Sequence, residues 1–334
     1  MIVVTGGTGL VGSLLLLRLA EEKQKVRVLL RPGSPPEKVF KVWKHYPEAP
    51  KSLPGHFEWY PADHSNQAEL FEALSGAEYI YHCAGKVSFD RRDRKEMWES
   101  NVMLTRHIVN YSLANEVKKL AYVSSVAAIG PSGDEPADET KGWPVQKTSD
   151  YARSKTQAEL EVWRGVTEGL KAVIVNPSVI LGPGDWKQSS VKLFDTVYRG
   201  MKVYTEGVTG FVDNRDVTEA LVQLMNSDIN AERFILNSAN LSYKELFTQI
   251  ATAFGKPPPS IRITPFVSGL GWRMAWLFSR LSGKKLNLTR ETARSAHRTR
   301  RYTAAKIGEA LDFRFRAIED TIRETAGCYL KKNI

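Results

Sequence analysis

The sequence predicts an α/β fold: a doubly wound parallel sheet with helices on both faces and a smaller mixed, mainly helical C-terminal lobe. Three observations predict it. Short apolar runs rich in β-branched residues alternate with longer helical patterns through the first half of the chain. A glycine-rich turn follows the first of these runs and opens the first helical pattern. After Asn176 the alternation loosens, and the stretch GKPPPS at 255–260 separates the last sheet-like material from a helical tail.

Taken in order, strands are predicted at residues 2–5, 26–30, 57–60, 79–83, 120–124 and 172–176. Helices are predicted at 13–22, 67–74, 95–114 and 151–165, and the proline-rich run 32–54 reads as a loop enclosing one short helix. Beyond Asn176, short strands at 202–204 and 233–236 alternate with helices at 217–226, 243–254 and 317–329. Residues 1–176, with further sheet elements from about 203–240, are therefore expected to form a nucleotide-binding domain, and 177–334 an interleaved substrate lobe.

With 334 residues, 42% of them hydrophobic, the chain can bury a sizeable core. Its net charge of +10, from 47 Lys and Arg against 37 Asp and Glu, favours anionic partners, but much of the excess falls late, between 283 and 301. Cys83 and Cys328 are too few for a disulfide framework, and a reducing, cytoplasmic location is expected. Strand-like residues begin at Ile2, so a conventional signal peptide is not expected, and no uninterrupted apolar run of 18 or more residues would span a bilayer.

The segment TGGTGLVG, Thr5 to Gly12, has the context a dinucleotide phosphate loop requires, a strand before it and a helix after it. Gly6, Thr8 and Gly9 would let the backbone turn and approach a pyrophosphate, Leu10 and Val11 would offer free amides, and Gly12 would let the helix pack on the sheet. The second strand ends at Leu30-Arg31, where an NAD site usually presents a carboxylate. Arg31 would suit a 2′-phosphate, so NADP is expected over NAD.

Tyr151 and Lys155 are four residues apart, one helical turn, and an ammonium beside a phenol stabilises its anion. A serine at the end of the fifth strand would border the same crevice and could bind a carbonyl oxygen; periodicity alone does not choose between Ser124 and Ser125. No spacing of His, Cys, Asp and Glu suggests a metal site.

Eight motifs occur in order: TGGTGLVG, Asp63, HCAG at 82–85, Asn101, SSVAAIG at 124–130, YARSK at 151–155, NPSVILGPG at 176–184 and FVDNRD at 211–216. Together they resemble the extended short-chain dehydrogenase/reductase superfamily, which includes nucleotide-sugar epimerases and dehydratases, dihydroflavonol-type reductases and 3β-hydroxysteroid dehydrogenases. The resemblance implies a Rossmann-type fold and assigns Ser125 to substrate polarisation, Tyr151 to acid/base work and Lys155 to ribose binding and lowering of the tyrosine pKa. It further implies that Asp63 binds adenine, that Ala84 and Gly85 line the cofactor, that Pro177 and Ser178 flank the nicotinamide, and that Asn101 is structural or organises solvent. Lys86, Phe89, Asn176 and Phe211 are candidates to line the substrate space.

Arg31 and NPSVILGPGD resemble the ketone-reductase branch, so NADP(H)-dependent carbonyl reduction is the expected activity. Nucleotide-sugar epimerisation on tightly held NAD is the alternative, and a non-catalytic cofactor-binding regulator is a third reading. Dehydratases commonly place an acidic pair after the catalytic residue, whereas Val126 and Ala127 follow Ser125. The resemblance also implies a homodimer paired through the helices at 95–114 and 151–165. The apolar positions 272, 276, 277 and 281 make one helical stripe, for which core packing is favoured over a peripheral membrane contact through 272–281. The four arginines between 294 and 301 lack any recognised nucleic-acid module, and no nucleic-acid partner is expected.

Overall fold

The computed structural model describes all residues except 132, 134, 145–147, 283–288 and 333–334; the side chains of 276, 277, 279–281 and 332 also lie outside the described set. The chain runs β1 (Ile2–Thr5), α1 (Leu10–Glu21), β2 (Val26–Leu30), α2 (Phe40–Trp43), β3 (Phe57–Pro61), α3 (Gln67–Leu74) and β4 (Tyr79–His82). Next come α4 (Arg94–Trp98) and α5 (Leu104–Ala114), joined by a π-helical turn at Glu99–Met103, then β5 (Lys119–Val123), α6 (Asp150–Thr167) and β6 (Ala172–Pro177). The second half contains β7 (Val179–Leu181), α7 (Lys192–Tyr198), β8 (Val203–Tyr204), β9 (Val208–Asp213), α8 (Asn214–Asn226), β10 (Glu232–Leu236), β11 (Ala239–Ser242) and α9 (Tyr243–Ala253). The last elements are β12 (Ile261–Arg262), α10 (Pro265–Ser282), α11 (Arg290–Ser295), α12 (Ala305–Leu311) and α13 (Ile318–Lys332).

Seven strands form one sheet in the order β10-β6-β5-β4-β1-β2-β3, with every pairing parallel. The strand order reverses between β1 and β4, and the crevice outside their carboxyl ends is where this topology places a ligand. Adjacent residues on β1 feed opposite cores, as the period of a strand demands. Val4 packs with Leu16, Val28 and Leu221 under α1 and α8, while Val3 packs with Leu29, Ile108 and Val162 under α5 and α6.

The lobe has its own core, built around Phe194, Phe211, Phe247 and Tyr329 and carried by β7, β9, α7, α9 and α13. Its small sheet, β11-β9-β7, is antiparallel on one side of β9 and parallel on the other. These three strands were not among the predicted elements. The helix predicted at 95–114 is also broken, by the π turn that contains Asn101. Of the stripe at 272, 276, 277 and 281, only the half-buried Trp272 has a described side chain; the other three positions lie outside the described set. Among the described residues no helix is long and apolar enough to cross a membrane, and no group of metal-ligating side chains is gathered.

Candidate active site

The glycine loop is shaped by two close approaches. Gly6 has φ +71°, and a Cβ there would lie 2.5 Å from the Ala84 nitrogen at the end of β4. A Cβ on Gly12 would stand 2.2 Å from the Gly6 carbonyl oxygen. The loop closes through Gly9 N–H donating to the Gly6 carbonyl at 2.9 Å, and α1 begins at Leu10 with no side-chain cap and no acid in its first turn. Its leading amides are thus available to an anion, in a loop whose backbone any side chain at Gly6 or Gly12 would displace. A dinucleotide's pyrophosphate fits this arrangement.

Around that loop, buried polar groups hold the strand ends together. The Thr5 hydroxyl lies 2.7 Å from His82 Nδ1, and His82 Nε2 lies 2.8 Å from the Thr105 hydroxyl. Burial holds the imidazole well below its ordinary pKa, so His82 is neutral and links β1, β4 and α5. Ala84 N–H donates to Thr5 Oγ1 at 3.3 Å. Asn101 clamps the next residue: its Oδ1 accepts from Lys86 N–H at 2.7 Å, and its Nδ2 donates to the Lys86 carbonyl and to Ser154 Oγ on α6. Asp63 follows β3, and its carboxylate, held below the usual range by Ser65, accepts from the Ser65 amide and hydroxyl.

The two adjacent serines have different surroundings. Ser124 is buried and donates to Glu159 Oε2 at 2.6 Å. Ser125 is half-buried and caps the short turn Val126–Ala128 by accepting from Ala127 N–H. Tyr151 stands in the first turn of α6, behind a Ser149 cap, with the Phe89 ring 5.9 Å away edge-on. Burial raises its phenol pKa, and the Ser125 hydroxyl offsets part of that rise. At neutral pH the phenol therefore holds its proton.

Lys155 is 4% exposed and donates to the Tyr122 hydroxyl and the Val123 carbonyl, both at 2.8 Å. Desolvation lowers its pKa to about 7, against the opposing pull of Glu159. The ammonium is thus engaged by β5, and Tyr151 owes its pKa to burial and Ser125. This differs from the lowered phenol pKa that the resemblance implied.

Glu159 was not anticipated. It is fully buried one turn beyond Lys155 and accepts from Ser124, from Asn176 Nδ2 at 2.7 Å and from Arg233 Nη1 at 2.9 Å. This carboxylate ties α6 to β5, β6 and β10. Asn176 also donates to the Ser125 carbonyl at 3.1 Å and is fully buried, so it supports the site from behind and is withdrawn as a substrate contact. Phe211 is withdrawn too, because it is fully buried in the lobe core. Ser178 faces β10, donating both N–H and Oγ to the Leu236 carbonyl, beside the buried end of β6 at Pro177. Lys86 and Phe89 stay near the cleft, Lys86 paired with Glu96 and 3.8 Å from Asp93.

The model of the NAD dependent epimerase/dehydratase family matches residues 2–236. A putative dihydroflavonol 4-reductase of Synechocystis is 32% identical over 264 residues, covering 77% of this chain and 73% of that protein. Sterol demethylase protein B of Methylococcus capsulatus is 28% identical over 268 residues, covering 78% and 77%. The crystal structure of gox2253 is 28% identical, with a TM-score of 0.81 over 99% of this chain and 98% of that one.

The expectation of NADP over NAD is overturned by solved structures that share the fold. Solved structures that share the fold along nearly the whole chain are complexes with NAD. They include UDP-glucose 4-epimerase of Thermus thermophilus (22% identical, TM-score 0.71, 98% of each chain) and DesIV, the dTDP-glucose 4,6-dehydratase of Streptomyces venezuelae (17% identical, TM-score 0.77, 99% and 97%). Arg31 stands 4.0 Å from Glu96, which also pairs with Lys86, so it is not the free cation on which the expectation of NADP rested.

Proposed function

As the chain belongs to the NAD dependent epimerase/dehydratase family, we propose that it catalyses NAD-dependent hydride transfer at a secondary alcohol or ketone carbon, with Ser125, Tyr151 and Lys155 as its catalytic set. The observation that carries this reading is the placement of half-buried Tyr151 and buried Lys155 one turn apart on α6, with Lys155 bonded to the end of β5 just before Ser125. Bound NAD would supply the two-electron acceptor or donor. Gly6, Thr8, Gly9, Leu10, Val11 and Gly12 would hold its pyrophosphate, with Asp63, Ala84, Gly85, Pro177 and Ser178 along its length.

The chain's own residues then have distinct tasks. Ser125 Oγ donates a hydrogen bond to the substrate oxygen, and Tyr151 Oη gives that oxygen a proton as a ketone becomes an alcohol, or takes it in the reverse direction. Lys155 places a positive charge behind them. Asn101 and Glu159 fix the loop and helix that carry these groups. Residues 1–176, with sheet elements from about 203–240, are read as the nucleotide-binding domain and 177–334 as the substrate lobe. A homodimer through α5 and α6 is the assembly this reading carries.

A second reading is epimerisation of a nucleotide-sugar, in which tightly held NAD would take and return the hydride with no net oxidation or reduction. The fold's full-length correspondence with UDP-glucose 4-epimerase and the correction to NAD favour it. The relatives named above as reductase and sterol demethylase favour net oxidation or reduction. Denaturing the purified protein and measuring the nicotinamide released separates the two. Stoichiometric NAD with interconversion of UDP-sugars supports the epimerase. An NAD-free protein that changes nicotinamide absorbance with a ketone or secondary alcohol supports the oxidoreductase, and neither activity across both substrate panels would overturn the proposal.

A further inference from the structure

We propose that α10 docks this protein on an anionic lipid surface, its outward apolar stripe entering the interface while the surrounding arginines meet the head groups. Phe266, Val267, Leu270, Met274 and Phe278 are 83%, 49%, 55%, 66% and 57% exposed. At the angular step of an α-helix they fall within an arc of about 120°, so they form one continuous face. The opposite side of the helix is anchored: Ser268 Oγ lies 2.7 Å from His297 Nε2 beyond α11. A face of large apolar side chains left exposed by the described residues marks an interaction surface.

The charge around the helix identifies the occupant. Residues 257–301 hold ten Lys and Arg and one acid, Glu291, a net +9 in a chain whose whole net charge is +10. Glu291 is half-buried and turned inward, accepting from the Asp150 amide at 3.4 Å. Among the described residues, Arg273, Arg290, Arg294, Arg298 and Arg301 have no carboxylate within ion-pair distance. An apolar stripe flanked by unneutralised arginines suits an anionic bilayer surface, whereas a second copy would bring like charge against like. Because α11 reaches the start of α6, docking would also set the Tyr151 cleft beside the lipid.

Flotation of the full chain with vesicles tests this and needs no substrate, so its failure and that of the catalytic reading are distinct. The chain is expected to float with vesicles of phosphatidylcholine and phosphatidylglycerol, and more weakly with phosphatidylcholine alone. The combined variant Phe266→Ser/Leu270→Ser/Met274→Ser/Phe278→Ser should lose at least about tenfold in vesicle affinity while keeping its melting temperature and NAD binding. Arg294→Glu/Arg298→Glu should lose the preference for phosphatidylglycerol. Absence of flotation by the unaltered chain, or flotation indifferent to both variants, overturns the proposal. So does a dimer that the apolar variant dissociates, which would make a second copy the occupant.

Discussion

Lys155 holds a titratable nitrogen where water hardly reaches, and the cost of that placement depends on pH. Its folded pKa lies near 7, against an ordinary value of 10.5 in the unfolded chain. Between those values the unfolded state binds more protons, so this residue makes stability rise with pH from about 7 toward 10.5, and its penalty is fully present below that window. Lys155→Met is expected to be the more stable protein at about pH 6, with the advantage shrinking by about pH 9. Paired melting curves at both values check it, and a difference independent of pH would contradict it. At this scale the placement of Tyr151 and Lys155 on one face of α6 was legible because helical spacing is local, whereas the choice of Ser125 over Ser124 came from the resemblance alone. Glu159 was not, although it continues the face of 151 and 155, because its partners lie 35, 17 and 74 positions away.

The phosphate-binding element rests on backbone geometry more than on side chains. Gly6→Ala must adopt φ +71° and meet the Ala84 backbone, whereas Gly33→Ala, at φ +73°, meets nothing within 4 Å. The control should lose about 1–2 kcal/mol from the left-handed backbone alone. Gly6→Ala should lose clearly more and also weaken NAD binding, as read by melting and NAD titration; equal losses would contradict the role given to the loop. The strands of the parallel sheet were legible to within a residue or two because most are buried apolar runs between helical patterns. β7, β9 and β11 were not, since their pairing joins short, unevenly buried segments whose partners are far apart in sequence. The π turn was hidden too: its sequence is helical, and Asn101 explains it only once the Lys86 loop is placed against it.

Across the whole chain, nearly all of the net charge falls in the sequence between 257 and 301, which includes α10, while the remainder is close to neutral. That imbalance was legible, but its setting was not, because periodicity does not reveal which side of α10 meets the rest of the protein. The same limit misdirected the choice of cofactor. Arg31 reads as a free cation in sequence, and only the fold brings Glu96 to it from across the crevice. The central claim is that a dinucleotide bound at α1 meets a proton-transfer pair on β5 and α6, and measuring turnover and NAD affinity together in Tyr151→Phe tests it most directly. The expected result is unchanged NAD binding with turnover lowered by about 10²- to 10⁴-fold. A variant that binds NAD normally and turns over at the full rate would contradict it.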